Sequence, residues 1–502
     1  MSAQITEDGT PFFDVVIVGA GLSGIGAAHY LQAHCPDRSY TILEMRATLG
    51  GTWDLFRYPG IRSDSDMYTL GYAFRPWKEA KAIADGPAIL QYIRDTAQEE
   101  GIAPHIQYHS RVTQAAWNSE RARWTLTVQN PETQETRVLA CNFLLMCSGY
   151  YRYEEGYTPE FAGREHFQGH LIHPQKWPED LDYTDKKVVV VGSGATAVTL
   201  VPELAKKARK VVMLQRSPTY IVGKPSQDNI ANALRKVLPA EMAYGINRWR
   251  NVLVSLAFYK LSRYRPNFVK KLIKMGVRKA LGQAYDVDTH FSPRYNPWDQ
   301  RLCLVPDNDL FEAIKAGKAE VMTDQIETFT PKGLRLQSGQ EVEADIVVTA
   351  TGLQLQLLGG MSLEVDGQVV QLPNHYMYRG MMLSDIPNMV ISIGYTNASW
   401  TLKTDLTCQY VCRVLQHMRK TNTQICTPRL KGEALSEAPL LDFNSGYVRR
   451  ALSELPRQGA KKPWKLNQNY PLDVLNIKYS TLQAPALEFK TVSVHPVLAP
   501  VD

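Results

Sequence analysis

The first chemistry legible in this chain lies in two glycine-rich turns. Gly19, Gly21 and Gly24 form GxGxxG directly after the apolar run FFDVVIVG and before IGAAHYLQAH, whose apolar spacing is helical. Such a turn lets backbone N–H groups and the positive end of a helix dipole meet a pyrophosphate without a Cβ in the way. Glu44 closes the next β-branched run twenty residues after Gly24, where a carboxylate can accept hydrogen bonds from ribose hydroxyls. The second turn, Gly192-Ser193-Gly194-Ala195-Thr196-Ala197-Val198, follows KKVVVV as GxGxxA, but its next strand ends in Gln215-Arg216-Ser217 with no acid. A carboxylate there would repel a 2′-phosphate. The forked donors of Arg216 would attract one, and Ser217 adds another donor.

One turn paired with an acid and one with an arginine imply two different dinucleotides, FAD and NADPH, and hence hydride transfer to a flavin. Disulfide reductases share that arrangement but place a redox cysteine pair beside the flavin. No CxxC or CxxxxC lies in the first lobe, and the seven cysteines are an odd number without zinc spacing. Reduced thiols, a cytoplasmic location and no metal site are expected. Cys408 and Cys412, four apart on a predicted helix, lack a second ligand pair.

The elements that must position these turns follow from the pattern. Each turn sits in a strand–turn–helix–strand unit, and RWTLTVQ and NFLLMCSG read as a meander that completes the first unit. At 502 residues the chain is long enough for two or three domains. The expected fold is α/β with two Rossmann-like domains, the FAD domain being discontinuous. FAD binding is assigned to residues 1–160, NADP binding to 161–335 with a helical insertion at about 228–290, and the rest of the FAD domain to 336–502, including the strand ADIVVTATG. Residues 242–285 contain no Asp or Glu but many Lys and Arg among apolar residues. The first expectation there is a solvated basic face, and the second is weak peripheral contact with anionic membrane surfaces. The net charge of +6 is too dilute for nucleic-acid binding, and no uncharged apolar run is long enough for a transmembrane segment.

The segment Phe167-Gln-Gly169-His-Leu-Ile-His173-Pro-Gln-Lys-Trp177-Pro178 matches FxGxxxHxxxWP, and with it the chain resembles the type I Baeyer–Villiger monooxygenases. GGTWDLFRYPGIRSDSDMYTL, PRYNPWDQRL, VVTATG and GYTNASWTLK extend the resemblance over nearly the whole chain, toward the ethionamide monooxygenase branch. The resemblance implies FAD contacts at Ser23, Thr52, Trp53, Asp54, Leu55 and Val112, with Arg62 and Ser63 bordering the nicotinamide nucleotide. It makes Arg301 the active-site arginine and Asp64 the aspartate that contacts it near both cofactors. His173 is expected to be a hydrogen-bonded hinge and not a base. Cyclohexanone-type relatives carry Lys-Arg where this chain has Gln300-Arg301, so a second cation for the 2′-phosphate is either missing or supplied elsewhere, with Lys224 as the candidate.

The implied reaction uses NADPH and O₂ to insert one oxygen atom beside a ketone carbonyl through a C4a-peroxyflavin, giving an ester or lactone, with sulfoxidation as a side activity. The partners are therefore O₂ and a small ketone or sulfide. The alternatives are a heteroatom monooxygenase of the same fold and an NADPH oxidase that releases hydrogen peroxide.

Overall fold

The structure is a computed structural model that describes residues 4–300, 302–431, 436–440 and 445–492. The first lobe is built on β1 (Pro11–Val18), α1 (Leu22–His34) and β2 (Tyr40–Leu43), followed by β3 (Arg111–Asn118), β4 (Arg123–Gln129) and β5 (Thr136–Met146). β1 pairs in parallel with β2 on one side and β5 on the other, with Val18 opposite Leu43 and Met146. A strand paired and covered this way is buried on both faces, which is why it reads as a continuous apolar run. The expected meander is present: β3, β4 and β5 are antiparallel neighbours.

The second lobe has its own five-stranded parallel sheet. It contains β6 (His170–Ile172), β7 (Lys187–Val191), β8 (Lys210–Gln215), β9 (Ala319–Thr323) and β10 (Ile346–Thr349), with α2 (Ala195–Leu204) after β7. β7 lies between β8 and β10, and β6 is the outer strand beside β10. This placement corrects the expected boundary at 336. The strand ADIVVTATG belongs to the second sheet, and the chain returns to the first lobe only beyond Gly352. There β11 (Ser362–Val365) pairs with β3 and β12 (Met389–Ile391) with β5. A long helix, α3 (Trp400–Thr421), then packs on α1.

Between β8 and β9 the expected insertion consists of helices Asn229–Val237, Ala240–Tyr264, Pro266–Leu281 and Val287–His290. It is more than a solvated face. Tyr244 donates its hydroxyl to the Tyr72 carbonyl at 3.0 Å, and the Arg248 guanidinium donates to the Tyr68 and Gly71 carbonyls at 2.9 and 2.7 Å and to Asp405 at 2.8 Å. The helix Ala240–Tyr264 therefore clips the insertion onto the first lobe, while Val269 and Ile273 of the next helix pack on Tyr220 of the second. Among the described residues no helix is long and apolar enough to cross a membrane.

Candidate functional site

The two glycine-rich turns open on one cavity of about 950 Å³ between the lobes. Both helices that follow begin without a side-chain cap: Gly21 precedes α1 and Gly194 precedes α2. Their first N–H groups are thus left for a ligand, and the helix dipoles favour an anion at that position. The close packing that makes this possible is specific. A Cβ on Gly24 would stand 1.8 Å from the Gly19 carbonyl oxygen, whereas one on Gly194 would meet nothing within 4 Å. Gly24 is required for packing helix on strand, and Gly194 faces open space.

In the first lobe Gly19, Gly21, Ser23, Glu44, Thr52, Trp53 and Val112 line the cavity. Glu44 is buried and holds the turn, accepting from the Ala20 N–H at 2.8 Å and the Arg46 N–H at 3.0 Å. Burial pushes its carboxyl up, and those two N–H donors oppose the shift. The Ser23 hydroxyl accepts from the Trp400 indole at 2.8 Å, which ties the turn to the start of α3. In the second lobe Gly192, Ser193, Gly194, Ala195, Thr196, Arg216 and Ser217 line the same cavity.

Five expected residues lie off the wall. Gly24, Ala197 and Val198 pack behind the turns, and Leu55 is only partly buried. Asp54, expected as a flavin contact, is a buried hub off the cavity wall. It accepts from Thr48 Oγ1 at 2.6 Å and pairs with Arg46 at 2.7 Å, Arg57 at 3.4 Å and Arg94 at 3.6 Å. An anion facing three cations shapes the loop. Lys224 is exposed and off the cavity wall.

Arg62, Ser63 and Asp64 line the cavity where the lobes meet. Arg62 forms an ion pair with Asp309, which opens a helix of the second lobe. Tyr58, absent from the sequence-based site, stands beside this segment. Burial raises its hydroxyl to about 12, the neighbouring Thr196 hydroxyl opposes the shift, and the Asp64 carboxylate adds to it. Gln300 lines the cavity and Arg301 lies outside the described residues. Tyr395 and Trp400, in the stretch GYTNASWTLK, also line it, with Tyr150 stacked on Trp400 at 4.9 Å between ring centres. Their aromatic character was visible in the sequence, but nothing in their spacing separates a cavity wall from a core.

His173 occupies the crossing between lobes. Its Nδ1 accepts the Gln175 N–H at 3.2 Å, so the proton sits on Nε2, which lies 3.1 Å from the Gly352 carbonyl. Gln175 donates its side-chain amide to the Arg152 and Tyr153 carbonyls at 2.8 and 3.0 Å.

A two-lobed protein with uncapped glycine turns facing each other across one cavity belongs to the class that brings two dinucleotides together. Comparison with known proteins gives the family. Residues 81–424 match the flavin-binding monooxygenase-like family, and residues 17–84 match an NAD(P)-binding Rossmann-like domain. The FAD-containing monooxygenase EthA of Mycobacterium tuberculosis is 54% identical over 96% of this chain and 98% of its own. A probable FAD-binding monooxygenase, AlmA of an Acinetobacter species, is 46% identical over 95% and 96%. Among solved structures, a steroid monooxygenase bound to NADP superposes with a TM-score of 0.75 at 20% identity, covering 96% of this chain and 100% of its own. A caprolactone-bound cyclohexanone monooxygenase gives 0.72 at 18% identity, covering 95% and 100%.

The chain belongs to the flavin-binding monooxygenase-like family. The expected cofactors, FAD and NADP(H), and the expected enzyme class, a flavoprotein monooxygenase, stand with that membership.

Proposed function

We propose that this monooxygenase inserts one oxygen atom beside a ketone carbonyl, giving an ester or lactone. The observation that carries the proposal is that Asp64 and Gln300, the chain neighbour of Arg301, line the same cavity as both glycine-rich turns. Gly21, Ser23, Glu44, Thr52, Trp53 and Val112 would hold FAD. Gly192–Thr196, Arg216 and Ser217 would hold NADPH, with Arg62, Ser63 and Asp64 between the two. Bound there, NADPH supplies the hydride and reduced FAD the activation of O₂.

The work left to the protein is electrostatic. Attack on a ketone carbon drives negative charge onto the former carbonyl oxygen, and a permanent cation with several fixed donors stabilises that charge as it grows. Arg301 is assigned that role. Asp64 is assigned the task of orienting the guanidinium and limiting its charge. An adjoining apolar pocket lined by Leu355, Leu357 and Ile393 shares Tyr150, Tyr395 and Trp400 with the main cavity, which supports a ketone with apolar substituents.

The test is product identity. Purified enzyme receives NADPH, ¹⁸O₂ and a mixture of linear, cyclic and aryl ketones with one aryl sulfide. Esters carrying one ¹⁸O uphold the proposal. Sulfoxide with no ester would assign heteroatom oxygenation, and hydrogen peroxide alone would assign an oxidase.

A further inference from the structure

The two long helices of the insertion carry apolar residues on the side turned away from the protein. On Ala240–Tyr264 the buried positions include Tyr244, Asn247, Arg248 and Asn251, whereas Met242, Ile246, Trp249 and Leu253 are exposed, Trp249 with one side of its ring against Tyr470 at 5.6 Å. The second set, at spacings of four, three and four, forms a stripe roughly half a turn round from the first. Pro266–Leu281 repeats the arrangement, with Val269, Ile273 and Val277 buried and Phe268, Leu272 and Met275 exposed. These are not marginal exposures: Leu253 is 54%, Phe268 53% and Met275 58% accessible. Scattered apolar residues on a surface need no explanation, but two adjacent helices with a second apolar stripe each do.

Past Glu241, the charges that these two helices themselves carry have one sign. From Met242 to Tyr285 the chain has ten Lys and Arg and no Asp or Glu. Arg248 is used internally, Arg250 and Arg263 pair with Asp228 and Asp299, and Lys274 and Arg278 face Asp288. Lys260, Arg265, Lys270, Lys271 and Lys279 have no ion pair among the described residues. A second copy of this face would bring like charges together, which disfavours self-association through it. An anionic lipid surface complements both features, since its headgroups attract the cations and its acyl boundary takes the Phe, Leu, Ile and Met side chains.

We infer that the insertion is a docking surface for anionic membranes, with the helices Ala240–Tyr264 and Pro266–Leu281 lying in the interface plane. The same helices reach the site. Tyr259 stacks edge-on against Trp298 at 5.5 Å, and Arg263 pairs with Asp299 at 2.7 Å, both in the loop that carries Gln300 to the cavity wall. Docking through this surface sets the substrate cavity close to a pool of membrane-dissolved apolar compounds.

The experiment is co-sedimentation of the full-length holoenzyme with vesicles of phosphatidylcholine alone, or mixed with phosphatidylglycerol, at low and high salt. Each cation near an anionic surface strengthens binding about fivefold. Affinity for the mixed vesicles should therefore exceed that for the neutral ones at least about tenfold, and should fall with salt. The variant Lys270→Glu/Lys271→Glu/Lys279→Glu should lose at least about tenfold. Leu253→Ser/Phe268→Ser should weaken binding at low salt as well, and both variants should keep wild-type oxidation of NADPH in vesicle-free solution. Equal binding to both vesicle types, no binding to either, or a dimer in gel filtration that Leu253→Ser/Phe268→Ser dissolves would overturn the inference.

Discussion

His173 donates from Nε2 to the Gly352 carbonyl at 3.1 Å and so joins the two segments by which the chain enters and leaves the second lobe. The ring fills a space that only glycine leaves open, because a Cβ on Gly156 would stand 1.9 Å from His173 Cε1. Burial lowers the imidazole's pKa from 6.5, and the Gly352 bond opposes the shift. This geometry gives His173 the work of a staple and leaves it no place as a base.

Loss of the staple should be measurable. His173→Phe keeps the ring but orphans the Gly352 carbonyl and the Gln175 N–H, at a cost of about 1–3 kcal/mol. The unfolded state protonates this imidazole near 6.5 while the folded state does not until lower pH. The stability it contributes is thus full above that value and is lost as pH falls below it. Urea unfolding at a series of pH values should show a shallower acid decline for His173→Phe than for wild type. Parallel curves would remove the role.

Arg248 and Asp405 are a buried pair that fastens the insertion to the first lobe. Burial raises the Asp405 carboxyl to about 6 even with Arg248 opposing it. Arg248→Ala leaves that carboxylate without its cation, held in the interior by the Ala73 N–H at 3.3 Å, and should cost about 3–5 kcal/mol. Arg248→Met with Asp405→Leu should recover most of the loss, since an apolar replacement of a buried pair is often neutral. Chemical denaturation of the three proteins checks this, and an Arg248→Ala protein as stable as wild type would contradict it.

Gly194→Ala separates binding from folding. The added methyl meets nothing within 4 Å, and the residue has an ordinary negative φ of −80°. Stability should change by less than about 0.5 kcal/mol. The methyl would stand where the pyrophosphate approaches the backbone, so KM for NADPH should rise about tenfold or more, equivalent to about 1.4 kcal/mol. A variant with unchanged KM would move the NADPH site elsewhere.

Arg216 is exposed and lines the second lobe's part of the cavity. Arg216→Ala should cost about 1.5–3 kcal/mol of 2′-phosphate binding. KM for NADPH should rise while KM for NADH stays near its starting value. Equal change for both cofactors would mean that Arg216 does not read the phosphate.

The sequence was most legible where backbone chemistry restricts residue choice. Gly19, Gly21 and Gly24 announce their turn because a side chain at Gly24 cannot coexist with Gly19, and β1 declares its double-sided burial as an unbroken apolar run. The insertion was legible as helices but not in its attachment, because the Arg248–Asp405 contact spans 157 positions. The strand Ile346–Thr349 was recognisable as buried yet was placed in the wrong lobe, since four apolar residues carry no address for one parallel sheet over another. Asp54 was legible as an acid near the flavin loop, and only the folded chain reveals the three arginines around it.

The role assigned to Arg301 in ester formation is tested by Arg301→Ala. The variant should bind FAD and be reduced by NADPH at close to the wild-type rate in an anaerobic stopped-flow experiment. Its turnover of ketone to ester under O₂ should fall about 10²–10³-fold, the usual cost of removing one donor to a developing oxyanion. Ester formation at the wild-type rate would contradict the account.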